Sequence, residues 1–216
     1  MLLDRVRHLV GQAWLSLWRH NSQDYWESRY RLGMNSGSGS LGELARFKAR
    51  VINDFVREQR IDSVIELGCG DGLQLALAEY PHYVGVDVSR TAIELCRKRY
   101  AGDSTKTFLW RDDTGRENIF VLPKGDLALS LDVIYHLLED DVYRRYLEDL
   151  FGAAKRHVII YSSNRDDRSS AAHVRHRAFV RDVEAGFPEF RLLHKIDNAH
   201  PKQSFADFYV FSRAED

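Results

Sequence analysis

Nine residues, Val64-Ile65-Glu66-Leu67-Gly68-Cys69-Gly70-Asp71-Gly72, constrain this chain more than any other stretch. They read as a buried strand that stops in an acidic residue, followed by a loop with glycine at every second position. A backbone this bare lets a ligand approach closely. The acid two positions before the first glycine indicates which kind of ligand. Nucleotide phosphates are repelled by a carboxylate there, whereas a cationic or amine-bearing ligand is not.

Spacing separates three loop types that use such glycines. A P-loop requires Lys and then Ser or Thr directly after its last glycine, but Gly72 is followed by Leu73-Gln74. A dinucleotide fingerprint requires G-x-G-x-x-G; Gly68 and Gly70 supply its first half, and Leu73 stands where the third glycine belongs. The pattern E/D-x-G-x-G-x-G is met at every position by Glu66, Gly68, Gly70 and Gly72. This resembles motif I of the class I S-adenosylmethionine-dependent methyltransferases. The resemblance implies that Glu66, Gly68, Cys69, Gly70 and Gly72 hold S-adenosyl-L-methionine. The plain alternative is a glycine-rich strand-to-helix turn with no ligand.

A second element points the same way. Val84-Gly85-Val86-Asp87-Val88-Ser89 is a short apolar run ending in an acid, and a helix opens at Arg90. In nucleoside-binding α/β folds an acid about 20 residues after the glycine loop hydrogen-bonds ribose hydroxyls. Asp87, with Val88 beside it, sits at that distance. On its own Asp87 also reads as a helix N-cap.

Composition bounds the rest. The chain has 216 residues, 44% hydrophobic and 29% charged, which suits one sizeable domain with a small appendage. A formal net charge of −1 leaves no basic field to attract nucleic acid, and no nucleic-acid partner is expected. The two cysteines, Cys69 and Cys96, lack CxxC or zinc spacing, so a reducing, cytoplasmic setting is expected. No apolar run is long enough to span a bilayer.

Three segments are expected: residues 1–22, 23–59, and a ligand-binding core over 60–216. In the first, Leu2, Leu3, Val6, Leu9, Val10, Ala13, Trp14 and Leu17 fall on one helical face, with Arg5, His8, Gln12 and Arg19 opposite. That amphipathic pattern over residues 1–20 fits docking on the chain's own domain or a partner subunit. Peripheral membrane contact is the second reading. In the second segment, Tyr25-Trp26-Glu27-Ser28-Arg29-Tyr30-Arg31 precedes the Gly/Ser tract Ser36-Gly37-Ser38-Gly39-Ser40. The YWExRY run resembles the N-terminal lid of several small bacterial methyltransferases. The resemblance implies that Tyr25, Trp26, Tyr30 and Arg31 cover the methionine end of the cofactor, with Gly37 to Gly39 as hinge.

Periodicity places the remaining elements. Helices are expected at Leu41–Gln59, Leu73–Glu79, Thr91–Tyr100, Asp140–Ala154 and Ala171–Ala185. Strands are expected at Ser63–Leu67, Tyr83–Asp87, Thr107–Trp110, Asp126–Leu131, His157–Tyr161, Phe190–Ile196 and Phe205–Phe211. Alternation of β and α implies an α/β, doubly wound, mostly parallel sheet, and the two late strands imply an antiparallel edge. This is the Rossmann-like seven-stranded fold that the resemblance also implies.

Ligands of such sheets lie at the carboxyl ends of the strands. By resemblance, Asp112 or Asp113 faces the adenine amino group. Ser130-Leu131-Asp132-Val133-Ile134-Tyr135-His136 looks like motif IV, with Leu131 and Asp132 under the cofactor and Tyr135 and His136 toward the acceptor. The D/N/S-P-P-Y/F/W signature of methylation at exocyclic base nitrogens is missing, for no proline lies between Lys124 and Pro188. Metal-dependent catechol-type enzymes use an acid at this strand tip plus an Asp-Asn pair after the fifth strand; Asp132 fits the first, but Ser163-Asn164 supplies only half of the second, so no metal is expected.

After the fifth strand, Arg165, Arg168, His173, Arg175, His176, Arg177 and Arg181 crowd seventeen residues. Imidazoles titrate near neutral pH and can deprotonate a hydroxyl, and arginines suit phosphate or carboxylate. His173 or His176 is therefore expected as a base, with His136 as a further candidate. Tyr135, Asn164, Arg175 and Arg177 are expected to contact the acceptor. The resulting expectation is O-methylation of a small-molecule or glycan-type acceptor that carries or adjoins an anionic group. N- or C-methylation, or a non-catalytic partner subunit, are the alternatives.

Overall fold

The computed structural model describes residues 21–112, 121–167, 171 and 173–214. The expected N-terminal helix over residues 1–20 and Asp113 lie outside them. Among the described residues no helix is long and apolar enough to cross a membrane.

Seven strands form one sheet in the order β3-β2-β1-β4-β5-β7-β6. They are β1 (Ser63–Leu67), β2 (His82–Asp87), β3 (Lys106–Trp110), β4 (Gly125–Leu131), β5 (Ala154–Ser162), β6 (Phe190–Ile196) and β7 (Asp207–Arg213). The first five run parallel, and β7 pairs antiparallel with both β5 and β6. The switch point falls at β1, between β2 and β4, where open α/β sheets bind ligands. The helices are α1 (Ser22–Arg31), α2 (Gly42–Glu58), α3 (Arg90–Arg99), α4 (Asp140–Gly152) and α5 (Phe179–Gly186).

The period of two along each strand sends alternate side chains to opposite layers. Val64, Leu127, Leu129, Ile159, Phe208 and Val210 pack with Phe47, Ile52 and Phe55 of α2 and Ile93 and Cys96 of α3. Ile65, Leu67, Ala128, Val158, Ile160 and Phe211 pack with Leu147, Leu150 and Phe151 of α4 and Phe179 and Val183 of α5. Burial on both faces explains why the central strands read as continuous apolar runs.

Two expected helices differ. Leu73–Glu79 is only a 3-10 turn, Gln74–Leu77. Asn53 of α2 explains why: its Nδ2 donates to Leu77 O and its Oδ1 accepts from Glu79 N–H, so backbone groups there are satisfied by another element. The expected helix Ala171–Ala185 begins only at Phe179. Ahead of it, Arg175 N–H donates to Tyr135 O and His176 N–H to Asp167 O. Asp166 and Asn164 then accept from Ala178 and Val180 N–H, as helix caps do. The polar residues that follow β5 serve as the start signal for α5.

Candidate functional site

The glycine loop has a shape that glycine alone adopts easily. Gly68, Gly70 and Gly72 have φ of 82°, 58° and 73°, all in the left-handed region. A Cβ on Gly68 would lie 2.5 Å from Val133 Cγ2, and one on Gly70 would strike Ser36 Oγ and Tyr30 OH. Gly68 and Cys69 N–H both donate to Val86 O, and Gly70 N–H donates to Asp87 Oδ2 at 2.8 Å. Gly72 turns instead toward Cys96 and Tyr100, away from the cavity wall.

A cavity opens over this loop. Its floor is Glu66 to Gly70. Asp87, Val88 and Arg111, at the tips of β2 and β3, form one side, and Leu131, Asp132, Val133 and His136, at and after the tip of β4, form the other. Tyr146 and Asp149 of α4 close it from beneath, while Ser22, Gln23, Trp26 and Tyr30 of α1, with Ser36 and Ser40, roof it. The roof is tied down at several points. Ser22 donates through N–H and Oγ to Glu139, Gln23 Nε2 donates to Asp112, and Ser36 Oγ donates to Asp71 Oδ1 at 2.8 Å.

Four carboxylates line the cavity, Glu66, Asp87, Asp132 and Asp149, the last paired with Arg111. Glu66 is 4% exposed and accepts from Tyr83 OH at 2.6 Å; burial pushes its pKa up to about 7 despite that bond and the nearby Lys48 ammonium. Burial likewise pushes Asp87 up to about 6, against hydrogen bonds from Ser89, Gly70 and Val88 N–H. A carboxylate offers about four lone-pair sites, so these contacts leave Asp87 able to accept more. Asp132 stands in the left-handed region at φ 61°, held by Lys48 Nζ and Tyr135 OH, each at 2.6 Å.

His136 is the imidazole on the cavity wall. Its Nδ1 lies 2.9 Å from His173 O. A carbonyl only accepts, so Nδ1 carries the proton and Nε2 keeps its lone pair. Burial pushes its pKa down to about 4, so the ring is neutral across the physiological range. Its ring meets Trp26 edge-on at 4.9 Å and stacks with His173 at 5.5 Å, and His173 in turn stacks on Tyr25 at 5.0 Å.

The other candidates lie off the wall. His173 is a ring in that stack, behind His136. His176, 3% exposed, has both nitrogens engaged, Nδ1 with Ser163 Oγ at 2.7 Å and Nε2 with Arg165 at 2.9 Å. Arg177 is buried and donates to Leu137 O, Leu138 O and Asp140, and Arg175 donates to Leu138 O and pairs with Asp140. These two arginines fasten the segment after β4, which corrects their expected position facing an acceptor. Tyr135 reaches the cavity only through Asp132, Asn164 caps α5, and Arg31 is exposed at the end of α1. Trp26, Tyr30, Glu66, Gly68, Cys69, Gly70, Asp87, Val88, Leu131 and Asp132 all line the cavity. Asp112 lies just outside it, held by Gln23.

Sequence reasoning passed over Lys48, Gln74, Arg111 and Tyr146. Arg111 pairs with Asp149 at 2.6 Å, and Tyr146 OH donates to Leu67 O and accepts from Ser130 Oγ–H. One of the four left a signal. Lys48 stands on the apolar face of α2, one turn from Leu44 and one from Ile52, where a charge is out of place.

Residues 65–158 match the family model described as a methyltransferase domain. Solved structures share the fold. Magnesium protoporphyrin IX methyltransferase from Synechocystis PCC 6803, with bound SAH, is 16% identical with a TM-score of 0.66, over 89% of this chain and 98% of that one. The N-methyltransferase NodS from Bradyrhizobium japonicum WM9, in complex with S-adenosyl-l-homocysteine, is 16% identical with a TM-score of 0.64, over 91% and 100%.

The chain has the fold of these methyltransferases.

The methyltransferase domain of bacterial CtHen1-C is similar too, at 18% identity and a TM-score of 0.61, over 79% of this chain and 98% of that one. A comparison with curated protein sequences finds no match. In this fold the glycines of the E-x-G-x-G-x-G pattern follow β1 and the run Asp132 to His136 follows β4, both at strand ends that face the cavity.

Proposed function

We propose that the chain is an S-adenosylmethionine-dependent methyltransferase that methylates a hydroxyl oxygen of a small-molecule or glycan-type acceptor. The residues on the wall fit the cofactor. Gly68 and Gly70 present bare backbone to the cavity, and Gln74, also on the wall, has a buried Oε1 without a hydrogen-bond partner among the described residues. Glu66 and Asp87 present buried carboxylates, which suit a cationic nucleoside and repel a phosphate. In this reading Asp87 accepts from a ribose diol, Glu66 and Gly68 to Gly70 meet the methionine side, and Trp26 and Tyr30 close over the ligand from α1.

Bound there, the cofactor supplies an activated sulfonium methyl. The chain's own residues hold and orient the acceptor, and such positioning lowers a barrier by up to roughly 7–11 kcal/mol. A neutral hydroxyl also needs a proton acceptor. The observation that carries O-methylation is His136, neutral, on the wall, with Nδ1–H fixed on His173 O and Nε2 left to accept. A weakly basic imidazole best serves an acidic hydroxyl, such as a phenol, because its proton leaves more readily. The expected anionic group on the acceptor has no support from Arg175 and Arg177, whose partners are given above.

Calorimetry with S-adenosylmethionine tests the cofactor reading, and a wild-type protein that does not bind it overturns that reading. Labelled-methyl transfer to a panel of phenols and hydroxylated sugars tests the acceptor class. Labelling confined to amine acceptors in a matched panel would replace O-methylation with N-methylation.

A further inference from the structure

Arg29 stands on α1 one turn after Trp26 and next to Tyr30, two residues of the cavity wall. It is half-buried, and no carboxylate among the described residues pairs with it. Its neighbour in the last turn, Arg31, is exposed, and its charge serves Glu27. A turn and a ring hold Arg29 instead. Its Nε donates to Asn35 O at 2.8 Å, and Asn35 Oδ1 accepts from Gly37 N–H at 3.0 Å. Its guanidinium lies 5.7 Å from the centre of the Trp26 ring. Gly37, at φ 98°, passes so near that a Cβ there would sit 3.9 Å from Arg29 Nη2. A guanidinium carries five N–H donors. Nε is engaged, and Nη1 and Nη2 have no hydrogen-bond partner among the described residues. A fixed guanidinium with a free two-nitrogen edge suits an oxyanion bound through both nitrogens.

Trp26 joins this guanidinium to the candidate base. Arg29 is beside its ring, and His136 meets the same ring edge-on at 4.9 Å. The charge is felt there: burial first, and Arg29 after it, push His136 and His173 below the ordinary imidazole value. The cations of the wall itself are engaged, Lys48 with Asp132 and Arg111 with Asp149. One unpaired cation balances one negative charge, and the carboxylates of the wall oppose a group with more. We propose that Arg29 selects the acceptor, and that the acceptor is a hydroxyaryl carboxylate. Its ring lies against Trp26, its hydroxyl at His136 Nε2 and its carboxylate on the Nη edge of Arg29. The proposal rests on the O-methylation reading above and puts the expected anionic group on a different arginine. In transfer the hydroxyl oxygen gives its proton to His136 Nε2 and bonds to the methyl carbon, while the electrons of the broken carbon–sulfur bond stay on sulfur. The carboxylate takes no part in these bond changes. Its contact with Arg29 is therefore alike before and during transfer, and losing it raises KM and leaves kcat.

The test is steady-state labelled-methyl transfer at about pH 7.5, where carboxylates are ionised. The acceptors are hydroxybenzoates, hydroxycinnamates and hydroxynaphthoates, each beside its neutral carboxamide, with a hydroxyphenylphosphonate as the more highly charged analogue. Wild-type protein is expected to favour acid over amide by about 10–100-fold in kcat/KM. In Arg29→Gln that preference is expected to fall below about threefold through KM, with kcat within about threefold of wild type. Calorimetric affinity for S-adenosylhomocysteine is expected to stay unchanged in the same variant. Arg29→Lys, which keeps the charge and loses the fork, is expected to keep part of the preference. Equal use of acid and amide by wild type, or a preference that survives Arg29→Gln, overturns the proposal and leaves O-methylation standing. A phosphonate preferred to the carboxylate overturns the assignment of a single negative charge. Weakened S-adenosylhomocysteine binding by Arg29→Gln overturns it as well, by placing Arg29 on the cofactor. Labelling of amines alone, or of none of the phenols, removes the O-methylation reading and the proposal with it.

Discussion

Glu27 and Thr91 meet twice: Thr91 Oγ1 donates to Glu27 Oε1 at 2.7 Å, and Thr91 N–H donates to Oε2 at 3.2 Å. Ser89 Oγ adds a third bond at 2.7 Å, so a carboxylate from α1 sits on the N-terminus of α3. Burial pushes its pKa up, but these bonds and Arg31 hold it below the ordinary value. Anions at a helix N-terminus are favourable, and loss of a cap costs about 1 kcal/mol. Glu27→Ala is expected to lower stability by about 1–2 kcal/mol. It is also expected to speed proteolysis within residues 22–41. Urea titration and limited digestion check both, and unchanged digestion would show that α1 is held elsewhere.

The buried acids predict a pH dependence. Glu66 and Asp87 titrate near 7 and near 6 in the folded chain, above their ordinary values of 4.5 and 3.8. A raised pKa contributes stability that is complete below the unfolded value and lost as pH rises through the folded one. These two groups therefore stabilise fully below about pH 4 and lose that contribution between about pH 5 and 8. Glu66→Gln should remove part of the slope in melting temperature over that range. Binding of a cationic ligand favours the ionised forms, so protons are released near pH 6.5. Calorimetric heats should then differ between buffers of unlike ionisation enthalpy.

His136 acts with the opposite sign. Its folded pKa of about 4 lies below the ordinary 6.5, so its contribution is present above about pH 6.5 and lost as pH falls toward 4. Single-turnover transfer at saturating cofactor should show no limb near pH 6.5 from this ring, which is already neutral there. His136→Gln is expected to slow single-turnover transfer about 10²–10⁴-fold, with cofactor affinity little changed. Undiminished transfer by that variant would falsify the base assignment.

Arg177 is expected to matter for folding. Its guanidinium spans Leu137 O, Leu138 O and Asp140, and it is 6% exposed. Arg177→Ala should cost about 2–4 kcal/mol by leaving buried carbonyls unpaired. Chemical denaturation measures this, and the acceptor preference of the surviving folded fraction should match that of wild type.

Much of the site could be read in the sequence, because its floor is local. Glu66 through Gly70 and Asp87 with Val88 are short runs whose residue types follow from backbone geometry, and the strands around them carry a plain period. The acceptor side was harder to read, because it depends on contacts between distant segments. Arg175 and His176 look like solvent-facing chemistry in the string. In the fold, Tyr135 O draws in the Arg175 backbone, and Ser163 and Arg165 take both nitrogens of His176. Lys48 lies 84 positions from Asp132, and no local rule joins them, although a lysine on an apolar helix face marks one half of the pair.

The glycine loop itself depends on its neighbour. Val86 O takes the Gly68 and Cys69 amides, and Asp87 takes that of Gly70. The loop acquires its shape only once β2 has docked beside β1, so the motif is assembled by the sheet. A fragment ending before Val86 would keep every letter of the motif and none of its form.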